Sequence, residues 1–289
     1  MSLFSRYFVK MCTKSDTARD AGLTTPPEIE RFDDIQYGSE PKWHLLDVYR
    51  PKALSGRLPV IVSFHGGGWV YGNKEVYQFY CMDLAKRGFA VVNYTYRLAP
   101  EYRHPAPLED TNLVFEWLLA NAEKYGFDTD NIFAVGDSAG ATGIAAYSCI
   151  LTNKDYAKNY SFTAPEGLKI KALGLNCGIY MVREKDNFKL WYDYLPKNKF
   201  SEFREQLCIC NAVTANFPPS FIMAANKDDL KVQSPLLAEK LKELGVRYIY
   251  KVYGDEKAPV YHVFHCNIKT PEAAVCNDEE CAFFREYIK

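Results

Sequence analysis

Asn131-Ile-Phe-Ala-Val-Gly-Asp-Ser-Ala-Gly-Ala141 is the stretch whose reading decides the fold. The apolar run Ile132 to Val135 drives into Gly136-Asp137-Ser138-Ala139-Gly140, and the small residues Ala141 to Ala146 follow with the character of a helix. Strand, sharp turn and helix in that order turn a G-x-S-x-G pattern into an elbow with Ser138 at its apex. The flanking glycines are needed because a Cβ there would collide with the neighbouring strand or helix. The amide end of the new helix lies beneath the serine and favours negative charge.

Working outward, the segments on either side alternate between buried strands and helices. Pro59 to Phe64 and Phe89 to Tyr94 read as strands, separated by a helix from Lys74 to Arg87 that Gly88 stops. A helix from Leu108 to Tyr125 ends at Gly126 and leads into the elbow. Beyond it come strands at Ile170 to Asn176, Ser220 to Ala225 and Arg247 to Val252, with helices at Pro235 to Leu244 and Pro271 to Ile288. This rhythm predicts an α/β fold with a mostly parallel central sheet and helices on both faces, its chemistry beyond the carboxyl ends of the strands. Two further strands, Arg31 to Tyr37 and Leu45 to Tyr49, precede it. At the start, Leu3, Phe4, Tyr7, Phe8 and Met11 share one face of a short helix whose aromatic stripe is expected to cover something, and a polar connector runs from there to Pro26-Pro27. Residues 178–217 break the rhythm with many aromatic and charged residues and no clear strand, and read as a helical lid inserted between core strands.

A serine hydroxyl needs a base within hydrogen-bond reach and a third group to orient that base. Of the 5 histidines, His44, His65 and His104 read as structural, while His262 and His265 follow the last strand, where a base for Ser138 belongs. His262 is preferred because Val263-Phe264 can anchor its loop. Asp228 and Asp229 both sit just past the strand Phe221 to Ala225 and both qualify as the acid. The order Ser138, Asp228, His262 is the one expected when an elbow serine is the nucleophile. His65-Gly-Gly-Gly-Trp69, directly after a buried strand, can bring backbone N–H groups to an oxyanion, with Gly67, Gly68 and Ala139 as the expected donors. No Gly-Lys-Ser/Thr follows the glycines and no Gly-x-Gly-x-x-Gly spacing occurs, so the glycines do not read as a nucleotide cradle.

Together His65-Gly-Gly-Gly-Trp69, Tyr96-Arg-Leu-Ala-Pro-Glu101, Gly136-Asp-Ser-Ala-Gly140, Asp228-x-Leu230 and His262-x-Phe264 resemble the hormone-sensitive-lipase-like esterases of the α/β-hydrolase fold, over roughly residues 30 to 289. The resemblance implies hydrolysis of carboxylic esters through an acyl-enzyme, with Ser138 as nucleophile, His262 as general base, Asp228 as its partner, and Gly67, Gly68 and Ala139 as the oxyanion hole. It implies no metal and no organic cofactor. It also implies a cap made from residues 1–30 and the 178–217 insertion on a hydrolase domain of residues 31–289. Ala141, Asp229 and Val263 stand where that family usually has glycine, proline and glycine. Trp69 beside the glycine loop suggests a confined acyl site and short acyl chains. An arylformamidase of the same fold shares the glycine loop and triad. A non-catalytic ligand-binding member would lack the histidine that His262 supplies.

Bulk properties fit such a protein. The 289 residues are 48% hydrophobic and 25% charged, with a formal net charge of -1, so the chain as a whole offers no field for nucleic acid or an anionic membrane. Its partner is then a small-molecule ester, and a homodimer is compatible. The 9 cysteines show no disulfide framework and read as free thiols, which favours a reducing compartment. With no signal-peptide core and no apolar run long enough to span a bilayer, the chain reads as soluble and cytoplasmic.

Overall fold

The computed structural model describes residues 1–182, 186 and 188–289, so residues 183–185 and 187 of the expected insertion lie outside the described residues. Eight strands form a single sheet: β1 (Ile29–Gln36), β2 (Leu45–Pro51), β3 (Leu58–Phe64), β4 (Ala90–Tyr94), β5 (Phe127–Asp137), β6 (Ile170–Asn176), β7 (Ser220–Ala225) and β8 (Tyr248–Tyr253). Their order is β1-β2-β4-β3-β5-β6-β7-β8. The pairs β1–β2 and β2–β4 are antiparallel and every later pair is parallel. Parallel strands need crossovers, and the helices that supply them cover both faces. This is why the strands read as unbroken apolar runs. On β3, Val60, Val62 and Phe64 enter one core while Ile61 enters the other. On β5, Ile132 and Ala134 join the first core while Phe133 and Val135 join the second.

The long helices are α1 (Leu3–Asp20), α2 (Lys74–Ala85), α3 (Ala106–Ala120), α4 (Ala139–Thr152), α5 (Ser234–Glu243) and α6 (Pro271–Arg285). The single helix expected over Leu108 to Tyr125 is two, because it breaks at Asn121 and resumes for one turn. Gly126 then takes φ 62, a left-handed cap that ends the turn as glycine readily does.

The N-terminus differs more from expectation. Apolar periodicity stops at Met11, yet α1 continues to Asp20, because the face it turns inward changes from apolar to polar contacts. Tyr71 donates its hydroxyl proton to Asp16 Oδ2 at 2.9 Å, and Arg19 donates to the Val76 carbonyl at 2.6 Å. The apolar stripe is covered only in part, through Phe8, which packs on the core, and Phe4 and Phe8, which line a cavity. Leu3, Tyr7 and Met11 are 83%, 63% and 49% exposed, and Phe8 with Val9 supplies the apolar contact.

The described part of residues 178–217 packs beside this helix. It holds the short helices Trp191–Tyr194, Phe200–Gln206 and Ile209–Ala212. The Ser2 amide donates to Asp193 Oδ2 at 2.8 Å, tying the two segments together.

Candidate active site

The elbow is built by close approach. A Cβ on Gly136 would lie 2.5 Å from the Gly140 backbone, and one on Gly140 would lie 1.9 Å from the Phe64 carbonyl oxygen. Only glycine lets β5, α4 and the end of β3 meet this closely. Ser138 between them has φ 50, ψ -117, a conformation that costs a non-glycine residue on the order of 1–3 kcal/mol. Its own amide donates to the Asn176 carbonyl on β6 at 2.8 Å, which holds the strained residue in place. As the first residue of α4, Ala139 has an N–H with no acceptor inside the helix.

The glycine loop is fixed from three sides. Tyr96 stacks on His65 at 4.0 Å between ring centres and donates its hydroxyl proton to the His65 carbonyl at 2.9 Å. The Gly66 amide is shared between Tyr77 Oη at 3.0 Å and Asp137 Oδ1 at 3.1 Å, and Tyr77 in turn donates to Asp137 Oδ2 at 2.8 Å. Burial pushes the Asp137 carboxyl up to about 6. Gly67 and Gly68 follow with φ 107 and 61. A Cβ on Gly67 would strike the Tyr71 carbonyl oxygen at 2.1 Å, and one on Gly68 would strike Leu190 at 2.3 Å.

Opposite them, the turn after β7 presents Asp228 and the loop after β8 presents His262. Asp228 is 4% exposed; its Oδ2 meets His262 Nδ1 at 2.7 Å, while its Oδ1 accepts the Leu230 amide at 2.8 Å. Burial alone would raise this carboxyl, but the imidazole and the Leu230 amide hold it below the ordinary carboxylate value. For His262, partial burial works against charge, and the Asp228 carboxylate and Cys177 sulfur outweigh it, raising the ring to about 10. Asp229 is exposed and lines the same cavity, but no hydrogen bond joins it to His262 among the described residues.

The remaining histidines are engaged elsewhere. His44 Nε2 lies 3.0 Å from buried Asp110, and His104 lies between Tyr194 and Gln206. His65 and His265 are fully buried, and desolvation drops each to about 3.

Ser138, Asp228, His262, Gly67, Gly68, Trp69 and Ala139 all line one cavity of about 820 Å³. Among the described residues, Ser138 and His262 share this space without a direct hydrogen bond; such contacts often tighten only when substrate binds. Trp69 reaches the cavity from beneath Tyr194, on which it stacks at 4.4 Å with parallel rings. Phe4, Phe8, Cys12, Asp16 and Arg19 of α1 form another wall, at helical spacing that apolar periodicity alone does not mark. Cys177, which follows β6 with φ 53, is a second contributor without a sequence signal. Its sulfur lies with Asp228 and His262 donor atoms inside 4.8 Å, as do donors of Asp137, His265 and Cys266 behind the elbow. The carboxylates of both groups already serve the hydrogen bonds described above.

Residues 61–266 match the alpha/beta hydrolase fold family. The chain belongs to that family. Within it, the chain is 30% identical to carboxylesterase NlhH of Mycobacterium tuberculosis over 248 residues, covering 79% of this chain and 76% of that one. It is 28% identical to versiconal hemiacetal acetate esterase of Dothistroma septosporum over 216 residues, covering 69% of this chain and 65% of the relative's length. The solved structure of esterase B from Lactobacillus rhamnosis, inhibited by a tributyrin phosphonate, superposes with a TM-score of 0.84 over 98% of this chain and 94% of that one, at 23% identity. These relatives place the chain among the hormone-sensitive-lipase-like esterases that its motifs resemble.

Proposed function

We propose that this protein is a serine carboxylesterase. Ser138 attacks the ester carbonyl while His262 takes its proton, Asp228 holds the imidazole through Nδ1, and the amides of Gly67, Gly68 and Ala139 stabilise the oxyanion. His262 returns the proton to the departing alcohol; the same base then takes a proton from water, which attacks the acyl-serine, and passes it to the Ser138 oxygen as the acid leaves. The observation that carries this reading is the 2.7 Å bond between Asp228 and His262 inside the cavity that also holds the strained Ser138. The esterase names of the relatives support it.

Residues 1–30 and 178–217 form a cap over a hydrolase domain of residues 31–289 in this reading, since Phe8 and Leu190 meet above Gly68. The acyl group is short and the alcohol bulky: Trp69, pinned under Tyr194, narrows the space beside the oxyanion donors, while the cavity as a whole is large enough for a drug-sized molecule. Replacing Ser138 with Ala is expected to lower aryl acetate turnover by at least about 10⁴-fold with circular dichroism unchanged. Retained turnover, or rates that climb steadily to long acyl chains in a series with one alcohol, refutes the mechanism or the acyl preference respectively.

A further inference from the structure

Helix α1 presents two stripes to solvent. Leu3, Phe4, Tyr7 and Met11 are exposed and, at 3.6 residues per turn, fall within an arc of about 100°. Arg6, Lys10 and Lys14 are also exposed, repeat every four residues, and lie along the edge of that arc. No Asp or Glu occurs among residues 1–15, so this face carries three positive charges within a chain whose formal net charge is -1. Near-neutrality of the whole therefore hides a local separation of charge. The face continues onto the neighbouring segment, where Lys189 Nζ sits 5.2 Å above the Phe4 ring and Tyr192 is 55% exposed.

An exposed apolar stripe bordered by cations is the pattern of a helix that lies in the boundary layer of a lipid surface. We propose that α1 docks this protein, reversibly, on an anionic lipid surface. Leu3, Tyr7 and Met11 enter the acyl boundary, and Arg6, Lys10 and Lys14 meet the anionic headgroups. Charge complementarity selects this occupant over a second copy of the chain: two such basic faces brought together would repel. The orientation also matters. Phe4 and Lys189 belong both to this face and to the lining of the cavity that holds Ser138, so docking turns the mouth toward the lipid.

The test is co-sedimentation of the full chain with vesicles of phosphatidylcholine alone and of phosphatidylcholine mixed with phosphatidylserine. Binding is read apart from hydrolysis, so its failure leaves the esterase reading untouched, and the reverse. The chain is expected to sediment with the mixed vesicles only, and less so as salt rises. Arg6→Glu/Lys10→Glu/Lys14→Glu should weaken partition by on the order of 100-fold or more, each basic residue removed being a factor of about 5. Leu3→Ser/Tyr7→Ser/Met11→Ser should weaken it by about 10-fold or more, since three apolar side chains no longer enter the boundary. Both variants change exposed positions outside the cavity lining and should keep their aryl acetate turnover, which reports that they fold. Equal binding to both vesicle types, binding to neither, or variants that bind as the parent does would overturn the proposal. So would light scattering that finds a dimer which the Leu3→Ser/Tyr7→Ser/Met11→Ser variant dissolves, because the face would then join two copies.

Discussion

Asp228 and Asp229 are neighbours in sequence and opposites in environment. One is buried against the imidazole and a backbone amide, and the other is exposed. Asp228→Asn should therefore cost about 10⁴-fold in kcat, by removing the acceptor that sets the tautomer of His262, whereas Asp229→Asn should stay within about 3-fold. Equal losses in the two variants would move the role to Asp229. On the proposed mechanism His262, as the base, also fixes the pH profile. A ring raised above its ordinary 6.5 is protonated at neutral pH and accepts no proton from Ser138, so kcat/KM for an aryl acetate should climb through a limb above pH 6.5. A limb at or below 6.5 would show that Asp228 and Cys177 do not raise the ring. Ser138 and the glycine loop could be proposed from sequence because strained turns and bare backbone demand particular residue types, and His262 because its loop follows the last strand. The pair of aspartates was not separable there, since burial of one carboxylate is decided by where β8 and its loop come to lie. Val263 shows the same limit from the other side. It follows His262 with φ 54, ψ 31, the left-handed region, where a β-branched residue is strained and glycine would be at ease.

Between elements, buried polar groups do the joining. Asp110 on α3 accepts from the Arg97 amide at 2.7 Å and from Arg97 Nε at 2.8 Å, and meets His44 Nε2 at 3.0 Å, so one carboxylate links α3 to the loops before β2 and after β4. Asp110→Ala removes the buried acceptor of the Arg97 amide and of its guanidinium, which keeps Glu109 at 2.8 Å, and should destabilise the fold by about 2–3 kcal/mol in urea denaturation. A change below about 1 kcal/mol would show that water replaces the carboxylate. On α6, Glu280 is 1% exposed and accepts from Asn176 Nδ2 at 2.9 Å. Burial raises its carboxyl from 4.5 to about 7. The folded state thus keeps a proton that the unfolded chain releases, and stability falls as pH rises from 4.5 to 7, by about 3 kcal/mol at this site. Glu280→Gln keeps an acceptor for Asn176 and should flatten that dependence; denaturation midpoints across pH 5 to 8 check it. Strands and crossovers could be read from sequence because both faces of a parallel sheet must be apolar. The reach of α1 to Asp20 could not, since Asp16 and Arg19 find their partners on a loop and a helix more than fifty residues away.

Across the whole molecule the thiols and the sheet share one property, which is enclosure. Eight of the nine cysteines are buried, and Cys12 alone is intermediate, its thiol raised to about 11 by burial and by Asp16. A thiol reagent should count nine groups in denaturant and at most one, slowly, in the native state; three or more fast native groups would contradict the packing described. The parts proposed for catalysis are likewise gathered from afar, with the serine after β5, the carboxylate after β7 and the imidazole beyond β8. Such an arrangement bears on how the protein is born. As the ribosome extrudes the nascent polypeptide, the hydroxyl emerges more than a hundred residues ahead of the ring proposed to deprotonate it. On the proposed mechanism a growing chain is therefore chemically mute toward the esters around it until translation has passed that ring.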